Sequence, residues 1–337
     1  MSGREHGPTL GPLGAAADAG LFAREDALVR VSDRLGMPGG PDPARVVHAR
    51  VAGGFDVEIL PSRGLDLGVV HVAGIPLSWV SPVADARALD VPTGLAWLSR
   101  FTGGLLTTCG PEHLGPPVGE FGLHGSASHL PAADVTVTRG VVAGVPRFEV
   151  TGTMERQQIF GPSIRLRRSI VGDFDPAGTP RLTVRDVLEN CGPLPVAPRL
   201  LHHFNLGAPL LLPGTTVEIP AGTCSPRDPE PVAVPGVMGS PRDGLEEAVF
   251  EHTDLVRDDR GRARAVVTAP DGRRVTFSWN DAFPGCYQWI LPARGRWALG
   301  IEPASAPMYP HAAIPRPADL APGESLSLDV ELLAEGF

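Results

Sequence analysis

The sequence predicts an all-β protein built from antiparallel sheets, in a sandwich or a barrel. The first observation is that polar and apolar residues alternate along many short runs, as they do in strands with one buried face. The second is that these runs follow one another at intervals of about 8 to 15 residues with no helical period between them, which is typical of locally connected antiparallel strands.

Regular alternation begins near residue 46. Residues 1–45 are expected to form an N-terminal extension packed on the β domain, and residues 15–35 show a weak helical spacing. Residues 47–51 and 55–59 then alternate on either side of Gly53-Gly54. Two alternating runs around a pair of glycines predict a hairpin.

The β pattern is strongest between residues 134 and 188 and resumes near residue 263. Asp271-Gly272 separates two alternating runs, and Asp-Gly at such a position favours the tight turn of a hairpin. Residues 326–332 alternate again and predict a closing strand.

Three stretches interrupt the strands. Residues 95–101 predict a short helix with Trp97 on its apolar side, and Gly103-Gly104 predicts close approach of the backbone to another strand or to a ligand. Residues 213–246 are rich in Pro, Gly and Asp and predict a long loop or an insertion. Because the chain has neither a repeat of fixed length nor a linker, we predict a single domain over residues 1–337.

Charge and composition narrow the function. The chain has a formal net charge of −9, which argues against a nucleic-acid partner because phosphate backbones are bound by basic surfaces. All 29 basic residues are Arg, which excludes Schiff-base chemistry and a P-loop lysine. The composition therefore favours a soluble protein that acts on a small molecule through His, carboxylate or metal chemistry.

The cysteines and the N-terminus bear on cellular location. Cys109, Cys191, Cys224 and Cys286 form no C-x-x-C pair, so neither a zinc ribbon nor a disulfide framework is indicated. The first residues lack the apolar core of a signal peptide, and no run of 18 apolar residues occurs. We expect a reduced, cytoplasmic protein without membrane contact.

The stretch Leu201-His202-His203-Phe204-Asn205-Leu206-Gly207 places polar side chains inside an apolar run. Successive side chains of a strand point to opposite faces, so His203 and Asn205 share one face while His202 lies on the other. Two interpretations remain open. The polar residues are either buried and satisfied by backbone groups, or they form one face of a chemical site.

Three further segments carry candidate site residues. Arg63 and Asp66 flank Gly64, where the guanidinium either forks onto vicinal hydroxyls or a carboxylate, or forms a local ion pair that holds a bulge. His124 lies between glycines, where it is open to a ligand or caps a strand. Glu302 ends an apolar strand, an expensive position for a carboxylate unless it is paired or used.

These segments, in their order along the chain, resemble the aldose 1-epimerase (galactose mutarotase) superfamily, and most of all an uncharacterised bacterial branch of aldose-1-epimerase-like proteins. Five motifs carry the resemblance, namely Arg63-Gly64-Leu65-Asp66, residues 103–110, Gly122-Leu123-His124-Gly125, His203-Phe204-Asn205-Leu206-Gly207 and Gly300-Ile301-Glu302-Pro303. The resemblance covers residues 46–335 and implies a large β-sandwich of the supersandwich type that binds a sugar in an open cleft.

The same resemblance implies a mechanism. In this family a glutamate takes the proton of the anomeric hydroxyl while a histidine protonates the ring oxygen, and the roles reverse after rotation about the C1–C2 bond. By motif, Glu302 matches the base, His124 the histidine that binds the ring, and His203 the acid. The family's acid lies four residues before the Asn, where this chain has Leu201, so His202 remains the alternative acid.

The expected partner is a sugar, and no cofactor is required. A neutral sugar needs side chains that bond its hydroxyls and an aromatic platform, for which Trp97 is an alternative to Trp289. The residues expected to bind the sugar are Arg63, Asp66, His202, Asn205, Gln288 and Trp289. The expected assembly is a monomer or a homodimer.

Two other functions stay open. A metal-dependent sugar isomerase or lyase is one, although its candidate ligands lack the tight spacing typical of metal sites. Those candidates are His113, His124, His129, His202, His203 and Glu302. The other is a carbohydrate-binding protein without turnover, which Leu201 at the family's acid position favours.

Overall fold

A computed structural model describes residues 19–35, 45–83 and 91–337 of the chain. Within these ranges 19 strands form two antiparallel sheets, and three short 3-10 helices span Glu25–Ala27, Gly94–Ser99 and Ala127–His129. The all-β prediction is confirmed. No helix in the described ranges is long and apolar enough to cross a membrane.

The larger sheet has eleven strands and carries the candidate site. Its members are β1 (Val29–Leu35), β2 (Arg45–Val51), β3 (Phe55–Leu60), β4 (Asp66–Val72), β5 (Ile75–Pro76), β6 (Leu106–Cys109), β11 (Leu201–Leu206), β13 (Ala221–Pro226), β14 (Ala248–Leu255), β17 (Gly285–Leu291) and β18 (Ala298–Ala304). The strands are ordered β1-β2-β3-β4-β6-β11-β18-β17-β14-β13, and β5 pairs with β4. Strand β11 is therefore central, between β6 and β18.

The smaller sheet has eight strands. Its members are β7 (Ala133–Val142), β8 (Val145–Gln157), β9 (Ser163–Phe174), β10 (Pro180–Asn190), β12 (Thr216–Glu218), β15 (Ala263–Thr268), β16 (Arg274–Trp279) and β19 (Ser325–Glu335). They are ordered β12-β15-β16-β19-β10-β9-β8-β7.

The two sheets pack face to face around one apolar cluster. Phe204 of β11 and Phe277 of β16 meet across the interface with ring centroids 5.3 Å apart. Alternation selects the inward residues, as in β19, where Leu328, Val330 and Leu332 are buried. Burying an apolar side chain of this size stabilises the fold by about 1.5–3 kcal/mol.

The predicted turns and close approaches are confirmed. Strand β2 pairs with β3 around Gly53-Gly54, and β15 pairs with β16 around Asp271-Gly272. The predicted helix is Gly94–Ser99, with Trp97 buried. A Cβ at Gly104 would lie 2.4 Å from the carbonyl oxygen of Leu67, so the approach predicted there is to a neighbouring strand.

Two predictions are wrong. The helical spacing of residues 15–35 fails over Val29–Leu35, which forms edge strand β1 by pairing with β2, while residues 15–18 lie outside the described residues. Residues 213–246 were predicted to be a long loop or an insertion, and the loop is wrong because the segment contains β12 and β13. Strand β13 is an edge strand with mostly exposed side chains, and this explains why no alternation marks it in the sequence.

Candidate active site

His203 and Glu302 face each other across two neighbouring strands. Strands β11 and β18 are antiparallel with Phe204 opposite Ile301, and this register sets His203 opposite Glu302. The imidazole Nε2 lies 3.2 Å from the carboxyl Oε1, and the two side chains are only 7% and 3% exposed. Both point away from the smaller sheet, because the adjacent Phe204 occupies the inner face.

Gly300 makes room for this pair. It lies two residues before Glu302 and therefore on the same face of β18. A Cβ at this position would stand 2.7 Å from Oε1 of Glu302 and 2.9 Å from the Cβ of Trp289. The Gly-x-Glu motif thus has a steric cause, since any side chain at residue 300 would displace the carboxyl group.

His124 reaches the same place from a loop. Its φ of +63° lies in the left-handed region, which is uncommon for a residue with a Cβ. The Nδ1–H donates to the carbonyl oxygen of Leu114 at 2.7 Å, because a carbonyl can only accept. This tautomer leaves Nε2 as a hydrogen-bond acceptor, and the ring centroid lies 6.1 Å from that of His203.

The three side chains line one cleft of about 510 Å³. A cavity of this size is in the range of small-molecule sites, about 300–1,000 Å³. Its lining consists of Leu95, Trp97, Leu98, Phe101, Gly115, Pro116, Pro117, Leu123, His124, His203, Arg227, Glu247, Val249, Trp289, Glu302, Met308 and Tyr309. Trp289, expected to bind the sugar, is among them.

Burial shifts the protonation of these groups. It lowers the pKa of His203 to about 3, with a further lowering from His124, and lowers the pKa of His124 to about 4. Burial raises the pKa of Glu302 to about 8, reinforced by the negative charge of Glu247 and opposed by Arg227. At neutral pH, Glu302 therefore holds a proton beside an uncharged His203.

A second polar group completes the cleft, and the sequence did not single it out. Arg227 follows β13, and Glu247 precedes the paired strand β14, so both lie at one end of this strand pair. The Nη1–H of Arg227 donates to Oε1 of Glu247 at 2.8 Å, and the indole N–H of Trp289 donates to Oε2 at 2.8 Å. Tyr309 lines the cleft beside them, and the positive charge of Arg227 opposes the raised pKa that burial gives its hydroxyl. Glu247 could have been recognised in the sequence because it is a carboxylate directly beside an apolar strand, which is the signal that identified Glu302.

Arg63 and Asp66 do not line this cleft. Both side chains border a small neighbouring hollow instead. The carboxylate of Asp66 accepts hydrogen bonds from the backbone N–H and hydroxyl of Thr108, at 2.9 and 2.5 Å, and lies 2.7 Å from Nη1 of Arg168. Arg63 donates to the carbonyl oxygen of Arg100 at 3.0 Å. Their contacts are with the protein itself.

His202, Asn205 and Gln288 are likewise outside the cleft lining. His202 lies on the inner face, with Nε2 2.7 Å from Oδ2 of Asp186. Asn205 shares the face of His203 but is fully buried, and its amide donates to the carbonyl of Gly104 at 3.1 Å. The amide of Gln288 donates to the carbonyl of Pro235 at 2.7 Å. His202 lies outside the cleft because adjacent residues of a strand point to opposite faces of the sheet.

The metal hypothesis finds no ligand set in the described part of the chain. Across residues 19–35, 45–83 and 91–337, no three His, Cys, Asp or Glu side chains are arranged to hold a metal ion. Of the candidate ligands, His202 faces the core, and neither His113 nor His129 lines the cleft.

Comparison with known proteins agrees with the fold. A family model for a domain of unknown function, DUF4432, matches residues 42–333. A provisionally named aldose 1-epimerase from Klebsiella pneumoniae superposes with a TM-score of 0.82 at 22% identity, covering 91% of this chain and 83% of that one. No curated protein matches the chain.

Two further solved structures show the same architecture at greater distance. A galactose mutarotase-like protein from Clostridium acetobutylicum has a TM-score of 0.64 at 14% identity, covering 92% of this chain and 100% of that one. A provisionally named aldose 1-epimerase from Escherichia coli K12 has a TM-score of 0.56 at 14% identity, with coverage of 92% and 100%. The predicted galactose mutarotase-like β-sandwich is therefore confirmed.

Proposed function

The chain belongs to the DUF4432 family of domains of unknown function, and we propose that it is an aldose 1-epimerase-like isomerase that interconverts the anomers of a sugar. The observation that carries this proposal is the pair formed by His203 and Glu302, with Nε2 3.2 Å from Oε1 at the base of an open cleft. Structural neighbours with mutarotase-like names support the proposal through the fold alone.

The pair has the protonation that ring opening needs. The reaction removes a proton from the anomeric hydroxyl and delivers one to the ring oxygen, while the bond from C1 to the ring oxygen breaks and a C1=O bond forms. Both oxygens are bonded to C1, so two adjacent groups can reach them together. Glu302, which holds a proton at neutral pH, and the neutral His203 beside it provide a donor and an acceptor at once.

Closure of the ring regenerates the pair. After rotation about the C1–C2 bond, the residue that gave its proton removes one from the hydroxyl at the ring carbon, and the other residue protonates the carbonyl oxygen. The proton count of the enzyme is unchanged, and no electrons are exchanged with a cofactor. His203 and Glu302 each act as acid in one direction and as base in the other, as microscopic reversibility requires.

The remaining polar groups position the sugar. The Nε2 of His124 accepts a hydrogen bond from a sugar hydroxyl, because its Nδ1–H is held by the carbonyl of Leu114. Glu247 and Tyr309 face the cleft and offer further partners for hydroxyls. Trp289 supplies an aromatic face whose orientation is held by its bond to Glu247.

Polarimetry tests the proposal. The decay of optical rotation of freshly dissolved α-D-glucose, α-D-galactose and other aldoses should be accelerated by the protein, and Glu302→Gln should lower kcat by about 10³- to 10⁴-fold because the proton carrier is lost. Glu218→Gln, which changes an exposed carboxylate on β12, is the matched control and should leave the rate unchanged. Sugar binding without acceleration would favour the carbohydrate-binding protein instead.

A further inference from the structure

The cleft has one apolar side built from a single local unit. The 3-10 helix Gly94–Ser99 contributes Leu95, Trp97 and Leu98, and Phe101 stacks on Trp97 with ring centroids 4.6 Å apart. Leu123 joins them, because its backbone N–H donates to the carbonyl of Gly94 at 2.9 Å. We call these five side chains, Leu95, Trp97, Leu98, Phe101 and Leu123, the apolar wall.

Part of the apolar wall is open to solvent. Leu95 is 63% exposed and Leu98 is 53% exposed, although both side chains line the cleft. Exposed apolar surface beside a cavity is a common feature of ligand sites. Apart from the indole N–H of Trp97, the wall offers no side-chain hydrogen-bonding group to a ligand that lies on it.

The polar groups at the opposite side already bond one another. The guanidinium of Arg227 contacts Asp228 through Nε at 2.9 Å and Glu247 through Nη1 at 2.8 Å. The second oxygen of Glu247 accepts the indole N–H of Trp289. Among the described residues that line the cleft, His124, Glu247 and Tyr309 are left to bond sugar hydroxyls away from the anomeric carbon.

The charges of the cleft also balance. Arg227 lies against Glu247, and the histidines and Glu302 are uncharged at neutral pH because burial disfavours their charged forms and shifts each pKa accordingly. Among the residues that the structure describes, no cation of the cleft lining is therefore left over for a phosphate or carboxylate group. A buried anion without a partner is strongly disfavoured, so the cleft fits a neutral ligand.

On the basis of the proposed function, we propose that the substrate is a neutral deoxy sugar, an aldose in which CH₂ or CH₃ replaces at least one hydroxyl-bearing group. The deoxy edge lies on the apolar wall while the anomeric carbon meets His203 and Glu302. A hydroxyl that faces Leu95 or Leu98 gains no hydrogen-bond partner from either side chain, whereas a methylene or methyl group gains apolar contacts with both.

Matched sugar pairs test this proposal. Mutarotation is followed by polarimetry or NMR for D-glucose against 2-deoxy-D-glucose, D-galactose against D-fucose, and D-ribose against 2-deoxy-D-ribose. In at least one pair we expect kcat/KM for the deoxy member to be about 10- to 100-fold higher, the discrimination an apolar pocket achieves against an added hydroxyl. If every parent sugar is turned over as well as its deoxy partner, this proposal is wrong while the mutarotase function stands.

A wall variant sharpens the test. Leu98→Asn adds an amide to the apolar wall and should reduce the deoxy preference by at least about threefold, because the amide can bond the parent sugar's hydroxyl. Leu194→Asn makes the same change at an exposed leucine outside the cleft and should keep the preference of the wild type. An equal deoxy preference in the wild type and Leu98→Asn would show that the apolar wall does not cause the preference.

Binding separates failure of the substrate class from failure of the function. Trp289 and Trp97 line the cleft, so quenching of tryptophan fluorescence reports sugar binding independently of turnover. Tighter binding of a deoxy sugar without mutarotation would support the ligand class and overturn the isomerase function. Neither binding nor mutarotation with any of the six sugars would overturn both.

Discussion

His202 and His203 are neighbours on one strand and are both buried, yet they face different surroundings. His202 lies among paired charges, whereas His203 lies among uncharged groups. On the inner face, His202 contacts Asp186 at 2.7 Å, and Arg168 lies 2.7 Å from both Asp186 and Asp66. On the outer face, His203 lies 3.2 Å from Glu302, among uncharged aromatic and imidazole rings that border the open cleft. The first region ties the two sheets together, and the second faces solvent.

The difference shows that burial alone does not decide what a titratable group does. Burial works against ionised Asp186, yet the charge and hydrogen bonds of Arg168 bring the pKa of this carboxyl well below its usual range. Glu302 is equally buried without such a cation, and its pKa rises to about 8. Paired charges become fixed parts of the fold, while unpaired groups keep a proton that can move near neutral pH.

Replacing each histidine separately by glutamine is the most direct test of this comparison. His203→Gln should lower kcat by about 10²- to 10⁴-fold and change the unfolding free energy by less than about 1 kcal/mol. His202→Gln should cost about 1–3 kcal/mol in stability, because Asp186 loses a buried partner, and leave kcat within a few fold. Polarimetry and urea unfolding of both variants measure the two effects. Equal loss of activity in both would show that the faces are not independent.

Removing the cation of the inner region should give the largest loss of stability. Arg168→Met leaves Asp66 and Asp186 buried without their shared partner, at a cost of about 3–5 kcal/mol. Arg167→Met, one residue earlier on the exposed face of β9, is the control and should cost at most about 1 kcal/mol. Urea unfolding gives both values. Should the two variants be equally stable, the network would not hold the sheets together.

The pH dependence sharpens the comparison on the outer side. Glu302 has its pKa raised from 4.5 to about 8, so above pH 8 it loses its proton and kcat should fall about tenfold per pH unit. Glu247→Gln removes a negative charge that raises this pKa and should move the alkaline limb to lower pH. A limb in the same place in wild type and Glu247→Gln would show that another group titrates.

The same shift predicts a trend in stability. The folded protein binds more protons than the unfolded chain between pH 4.5 and 8, so this group lowers the unfolding free energy as pH rises through that window, by about 1.4 kcal/mol per unit at most. Glu302→Gln should lack this contribution. Urea unfolding of both proteins at several pH values measures the difference between the two slopes.

A substitution at Gly300 tests the space beside the pair formed by His203 and Glu302. Gly300→Ala places a Cβ 2.7 Å from the carboxyl of Glu302 and should cost about 1–3 kcal/mol in stability, with a decrease of roughly tenfold in kcat. Gly239→Ala, where nothing lies within 4 Å of the added Cβ, is the matched control and should behave as the wild type. A fully active Gly300→Ala would show that the carboxyl position tolerates displacement.

Much of the fold could be predicted because alternation is a local signal. The hairpins at Gly53-Gly54 and Asp271-Gly272 were recognisable from turn residues between period-two runs. Strand β13 was not, since an exposed edge strand needs no apolar face. Strand β1 formed from a stretch with weak helical spacing, because pairing with β2 outweighs such a local preference.

By itself the sequence determined the all-β architecture and the segments that carry His124, His203 and Glu302. Strand periodicity, turn residues and a carboxylate in an apolar strand can all be recognised from residues close together in the chain. Only the tertiary structure decided which polar residues share the cleft. Arg227 and Glu247 reach the cleft through the pairing of β13 with β14. His202 and Asp66 instead contact Arg168 of the opposite sheet. The physical reason is that a buried polar group takes its role from its partners, and those partners are distant in the chain.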